Sequence, residues 1–429
     1  MTTQNLTYQS LPGPGDITRA EFPNGITLLT RSNFNSQSVT IKGYLQAGSI
    51  SDPADKLGLA AFTADALMTG THKHAFKELH NQVESLGASI SFSGGALSTG
   101  FSGMSLAEDL PTLLDLMLEV LNEPTFPEKQ YKRLKAQFLT MLSIRAEDPA
   151  DMAALTFDRL LYKGHPYENP EDGYAHTVEA ISRQDLAAFH QKYYGPRGMV
   201  IAIVGAVEPG HAIDLVAGSL AKWQNPNQAV QIQVPDHARP QGIIREHVTI
   251  NGKSQTDLIV GTLGPNRLSP DYRACLVGNN ILGQFGMMGR IGESLREKAG
   301  LAYYAQSEYG AGLGPSSWEI TAGVNPDNVD RALQLIYEEI GKFIREPVSA
   351  EELADTKSFL VGHLPLTLES NFGVAISLLN LERYQLGLDY LQRFPQLVDS
   401  ITAKDILNAA QKYWALDHLV VASAGSSLT

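Results

Sequence analysis

Apolar residues recur at helical spacing in LPTLLDLMLEVL, from Leu110, and again in VDRALQLIYEEI, from Val329. Both predict amphipathic helices. FPEKQYKRLKAQFL, from Phe126, and VSAEELADTKSFLV, from Val348, follow them at a similar distance. Further on, ISRQDLAAFHQKYY starts at Ile181 and ITAKDILNAAQKYW at Ile401. Asp185, Gln191, Lys192 and Tyr193 of the first recur as Asp405, Gln411, Lys412 and Tyr413 of the second. After each copy comes a short apolar run ending in small residues, GMVIAIVGAV and DHLVVASAGS, which predicts a helix followed by a strand.

Three paired segments share one offset of about 220 residues, so the chain is a duplication. Each copy opens on strands: ITLLTRSNFNSQSVTIKGYLQAGS in the first and HVTINGKSQTDLIVGTLG in the second. The connecting stretch WQNPNQAVQIQVPDHARPQGIIRE is rich in Pro, Gln and Asn and reads as a linker. The expected division is an N-terminal repeat over 1–225, a linker over 226–242 and a C-terminal repeat over 243–429. Strands and helices mix without the regular alternation of a doubly wound fold. The expected class is therefore α+β: two domains, each a mainly antiparallel sheet with helices packed on one face, facing each other as a clamshell.

Composition narrows the function classes. With 429 residues, 43% of them hydrophobic, the chain is long enough for two cores and is not a disordered segment. A formal net charge of −13 disfavours nucleic acid and anionic membrane surfaces as partners. No basic, apolar leader precedes the first element and no apolar run reaches the ~20 residues of a spanning helix. A cytoplasmic protein is expected. The single cysteine, Cys275, lies in an apolar stretch, which leaves neither an internal disulfide nor a thiolate metal site and predicts a buried, inert thiol. His72, His74 and His80 group in THKHAFKELH, a turn leading into an amphipathic helix; they are expected to be solvated surface side chains. P-loop, G-x-S-x-G and strand-borne G-x-G-x-x-G patterns are all missing.

GLAAFTADALMTGT, from Gly58, predicts a helix ending in a tight turn. In its place early in a duplicated α+β chain, this stretch resembles the zinc helix of the pitrilysin and mitochondrial processing peptidase family. Members carry the inverted motif H-x-x-E-H there, in which two His four residues apart bind one zinc and the Glu is the base for its water. Here the ligand positions hold Ala61 and Asp65, and the base position holds Ala64. The family's third ligand, a Glu about 75 residues on, would fall near Thr140; no Asp or Glu stands between Glu128 and Glu147. The resemblance therefore implies a chain without zinc or any other cofactor of its own.

The second half reads LGQFGMMGRIGESLREKAGLAYYAQSEYG, which resembles the family's C-terminal signature of a glycine-rich loop, a helix and a strand. Arg296 and Tyr303 occupy its Arg and Tyr, side chains that in the family reach a zinc-bound peptide across the cleft. A tyrosine, protonated at neutral pH, can donate to a developing oxyanion, and an arginine offers a rigid fork to carbonyls or carboxylates. Tyr304 is the lesser candidate, since alternation along a strand sends it to the opposite face. Gly283, Gly286 and Gly289 either admit a peptide backbone closely or form a flexible connection. Met287 and Met288 add soft apolar contact.

Zinc residues lost and Arg/Tyr retained imply one subunit of a two-chain metallopeptidase for unfolded peptides. The expected partners are a homologous zinc-bearing subunit and a peptide substrate, with neither nucleic acid nor membrane. The alternative is a non-catalytic structural or peptide-binding relative.

Overall fold

The computed structural model describes residues 11–229, 233–284 and 289–427. Among these, eleven strands form two sheets. The first holds β1 (Thr18–Glu21), β2 (Thr27–Ser32), β3 (Ser38–Leu45), β4 (Ser89–Gly94), β5 (Thr99–Leu106) and β6 (Val200–Gly205), in the order β1-β2-β6-β3-β5-β4. The second holds β7 (Ile244–Thr249), β8 (Thr256–Gly264), β9 (Ala302–Tyr309), β10 (Ser316–Val324) and β11 (Val420–Gly425), in the order β7-β11-β8-β10-β9. Remove β1 and the two orders coincide strand for strand, which is the duplication seen as topology. One pair in each sheet is parallel, β2 with β6 and β7 with β11; the remaining pairs are antiparallel. The α+β class with mainly antiparallel sheets is as expected.

The repeat motif also has a local cause. Ser182 and Thr402 are the N-caps of helices Arg183–Tyr193 and Ala403–Tyr413, and Asp185 and Asp405 complete a capping box with each. Each carboxylate accepts from the cap's own N–H, at 2.8 and 2.9 Å, satisfying a donor the helix leaves free.

Most helices lie on one face of their sheet, again as expected. In the first unit, Leu59–Ala66 packs beside β4 and Leu110–Asn122 on β5, burying Phe62, Leu113 and Met117 against Val39, Ile41, Ile201 and Ile203. In the second, Tyr272–Gly283, Val329–Arg345 and Ala403–Tyr413 bury Leu258, Val260, Trp318 and Val421.

The opposite faces are covered by one helix each, and that helix comes from the other half of the sequence. Helix Pro149–Leu161 lies on β11, β8 and β7, packing Ala153, Phe157 and Leu161 onto Ile259, Leu263, Val420 and Ala422. Helix Asn371–Arg383 lies on β6 and β3. There Arg383 stacks on Tyr44 at 4.1 Å, Lys42 on Phe372 at 4.3 Å, and Glu382 accepts from Arg19 Nε and Nη2 at 2.8 and 2.7 Å. The packing units are thus interleaved in sequence. One takes the described residues of Met1–Leu142, Pro170–Ile232 and Leu364–Arg393; the other takes those of Ser143–Asn169, Gln233–His363 and Phe394–Thr429. Strands buried on both faces take apolar or small residues at nearly every position, as VIAIVG and VVASAG do, and the one polar member, Ser423, pairs its hydroxyl with His247 Nδ1 at 2.9 Å.

Candidate functional site

The segment from Gly58 forms helix Leu59–Ala66, closed by the turn at Gly70 (φ 146°). Gly58 itself is left-handed (φ 95°), and a Cβ there would lie 2.6 Å from the Asp172 carbonyl, so glycine is required on both counts. Asp52 caps the helix by accepting from the N–H groups of Gly58 (2.9 Å) and Ala60 (3.0 Å). Phe62 stacks on Tyr131 and meets Phe138 at a tilt, with ring centroids 5.7 and 5.0 Å apart.

The three positions that matter in the resemblance offer no ligand set. Ala64 is fully buried, Ala61 lies against Gly94 at the end of β4, and Asp65 is exposed although the protein around its carboxyl desolvates it enough to raise its pKa to about 6. Thr140, on helix Glu128–Arg145, is exposed and donates its hydroxyl back to the Ala136 carbonyl at 2.9 Å. Two methyl groups, one carboxylate and one hydroxyl do not match the nitrogen-and-oxygen donor set of a catalytic zinc. Among the described residues, no group of three or more His, Cys, Asp or Glu side chains is placed to hold a metal.

The nearby histidines correct one expectation. His74 is a half-buried structural partner and not a solvated side chain. Its Nδ1 lies 2.9 Å from Glu119, which also accepts from Thr71 Oγ1. Gln82 Nε2 donates to His74 Nε2 at 2.8 Å, which leaves the ring proton on Nδ1 facing Glu119. Glu119, in helix Leu110–Asn122, is buried, and a buried carboxylate needs such donors. No periodicity in the sequence links positions 45 residues apart. Cys275 is buried and desolvation raises its thiol pKa, as an inert core cysteine requires.

In the second half, Arg296 sits on a π-helical turn, Glu293–Lys298, a form often found at functional sites. Leu295 beside it is fully buried and anchors the turn; the Arg296 guanidinium is about one-third exposed, with Nε 3.2 Å from Glu297. The chain reverses at Gly300 (φ 63°), where Gly300 N–H donates to the Arg296 carbonyl and Leu301 N–H to that of Leu295. Strand β9 follows, at the edge of its sheet. Ala302 is paired with Val324 and Tyr304 with Gly323, so Tyr303 is an extra residue with no partner in the ladder. Such a bulge re-aims its side chain, and Tyr303 is 68% exposed.

The glycines divide. Gly283 ends helix Tyr272–Gly283, and a Cβ there would fall on the Ser307 backbone of β9. Gly289 (φ 61°) would set a Cβ 2.5 Å from the Ile281 carbonyl and 2.8 Å from Gly283 N. The structure therefore brings these two together in tight backbone packing. Gly286, Met287 and Met288 lie outside the described residues.

Just beyond Gly289, Arg290 clasps Glu352 with two hydrogen bonds, Nε to Oε1 at 2.7 Å and Nη2 to Oε2 at 2.8 Å. Glu352 lies in the first turn of helix Ala350–Thr367, where it also accepts from Ser349 N–H. The guanidinium, the largest cause, holds its carboxyl down to about 2 against 4.5 ordinarily. A lowered folded-state value adds stability above pH ~4.5 that is lost as pH falls toward 2. Glu352→Gln is therefore expected to lower the melting midpoint by about 2–4 °C near neutral pH. The difference should vanish by about pH 2, read from melting curves across the pH range.

Comparison with known proteins fits this arrangement. Residues 27–170 match the family described as Insulinase (Peptidase family M16), and residues 180–360 match its Peptidase M16 inactive domain. An uncharacterised zinc protease of Streptomyces coelicolor is 24% identical over 361 residues, covering 83% of this chain and 78% of its own. One from Rickettsia felis is 22% identical over 410 residues, covering 92% and 94%. Among solved structures, a peptidase M16 inactive domain from Pseudomonas fluorescens superposes with a TM-score of 0.88 at 26% identity, over 96% of this chain and 99% of that one. A protease from Helicobacter pylori reaches 0.89 at 18% identity, over 96% and 100%.

Proposed function

The chain belongs to the M16 (pitrilysin) peptidase family, and on that footing we propose that it is the non-zinc subunit of a two-chain metallopeptidase acting on unfolded peptides. One observation carries the reading. The positions for zinc and base hold Ala61, Ala64, Asp65 and Thr140, while the signature Leu-Arg-Glu-Lys-Ala-Gly-Leu-Ala-Tyr stands complete with Arg296 and Tyr303. An exposed tyrosine on a bulged edge strand is free to reach a group outside its own sheet, as such a donor must.

In this reading a homologous partner holds the zinc, and this chain supplies Tyr303 and Arg296 to the partner's site. The tyrosine hydroxyl donates to the oxyanion that forms at the scissile carbonyl, and the guanidinium binds a carbonyl or carboxylate of the same peptide. Gly283 and Gly289, which flank the glycine-rich stretch, pack closely against one another. That the Pseudomonas fluorescens relative is described as an inactive domain favours a second reading, a non-catalytic subunit with a structural or peptide-binding role.

The isolated chain is expected neither to retain stoichiometric zinc after dialysis nor to cleave an unstructured fluorogenic peptide. Adding a homologous chain with an intact H-x-x-E-H helix is expected to produce zinc-dependent cleavage above the partner's own rate. Zinc held tightly by the isolated chain, or a partner no faster in its presence, would sink the proposal.

A further inference from the structure

An edge strand is held from one side only, and a bulged residue at its end has no ladder bonds to aim it. Tyr303 is in that position, yet a donor in catalysis has to be held to a fraction of an ångström. The question is what holds it. On the N-terminal side, the Leu301 N–H bond to the Leu295 carbonyl (2.9 Å) ties the strand to the π-helical turn. On the C-terminal side stands Tyr304.

Tyr304, Gly323 and Asp257 form one row across β9, β10 and β8, since Gly323 pairs with both of the others. Residues paired in register share a face, so the phenol of Tyr304 can cross β10 only if nothing projects from it at 323. Gly323 has no left-handed backbone that would call for glycine; what it supplies is room. A Cβ there would come within 2.6 Å of Tyr304 Cε1 and 2.6 Å of Gln255 Nε2. Across this gap the Tyr304 hydroxyl donates to Asp257 Oδ1 at 2.5 Å, and Gln255 Nε2 donates to the same oxygen at 2.8 Å. Asp257 is 3% exposed and sits on a central strand. Burial, followed by the Asp257 carboxylate, raises the phenol pKa and keeps the proton on Tyr304. The end of the edge strand is thereby bolted to the interior of the sheet, one residue from the bulge.

We propose that Tyr304, Gly323 and Asp257 act as a clamp that fixes where Tyr303 points, which makes Tyr304 and Asp257 positioning residues for the donor. The inference rests on the reading of Tyr303 given above. Tyr303 remains the donor, and Tyr304 acts through it.

The test separates the clamp from that reading. In the paired enzyme, Tyr304→Phe and Asp257→Asn are expected to lower kcat about tenfold to a hundredfold while KM stays within about twofold. Gly323→Ala, which drives the ring off β10, should do at least as much. In the isolated chain, 3-fluorotyrosine at position 303 reports its setting directly by ¹⁹F NMR. Tyr304→Phe is expected to shift or broaden that signal at temperatures well below the melting transition, where the chain stays folded despite the donor lost to Asp257. If Tyr303→Phe slows the enzyme and Tyr304→Phe does not, the clamp is wrong and the donor stands. If Tyr303→Phe leaves the rate intact, the donor reading fails. An unmoved fluorine signal in Tyr304→Phe overturns the clamp in either case.

Discussion

Phe157→Ala is expected to destabilise the unit built on the second sheet by about 3–5 kcal/mol, although Phe157 lies in the first half of the chain. Its side chain is 1% exposed, and its ring lies over Gly261 in the middle of β8, where a Cβ would meet Phe157 Cζ at 2.6 Å. Around it stand Ile259, Leu263, Val420 and Ala422, all buried beneath helix Pro149–Leu161. Truncation leaves a cavity among rigid strand residues that cannot collapse into it, the situation in which large-to-small substitutions cost most. Hydrogen exchange should locate the damage. Amides of β8 and β11 are expected to lose protection, and those of β3 and β6 to keep theirs. Loss confined to the first sheet would contradict the packing described.

Tyr303→Phe is expected to lower the peptidase rate of the paired enzyme about 10²–10³-fold, the usual cost of one oxyanion donor. The change removes a single hydroxyl from a side chain that is mostly in solvent, so folding and subunit pairing should survive it. Because the bond forms only as negative charge develops, the loss belongs in kcat, with KM near its original value. Pairing measured by size-exclusion chromatography and steady-state kinetics on one peptide are the two measurements needed. Full activity in this variant would favour the structural or peptide-binding role over the catalytic one.

Much of the fold was legible in the residues. The repeated Ile-x-x-x-Asp stretches are two capping boxes, and a cap is a local device that a short sequence specifies completely. The helices from Leu110 and Val329 followed from amphipathic spacing, and the missing zinc ligands from residue identity alone. What stayed hidden is non-local. An apolar helix face such as that of Pro149–Leu161 says that it must be covered, not which sheet will cover it, so the reciprocal exchange left no trace in the pattern. The pairing of His74 with Glu119 joins a turn to a distant helix, and the bulge at Tyr303 depends on where β10 falls in register. Two glycines inside strands, Gly323 and Gly261, are the kind of signal that marks a close approach by another group, Tyr304 at one and Phe157 at the other.

The exchange of helices bears on how the protein is made. Strands β2, β3 and β6 are complete once Gly205 has been synthesised, but the helix that covers their second face begins at Asn371. At about 5–20 residues per second, translation of the intervening chain takes on the order of 10–30 s. Throughout that interval Leu29, Val200, Ala202 and Val204, all buried in the finished fold, belong to a sheet whose second face is still bare. The nascent chain thus carries an adhesive surface for many seconds, and its yield in the cell should depend on a ribosome-associated chaperone until the helix from Asn371 has emerged.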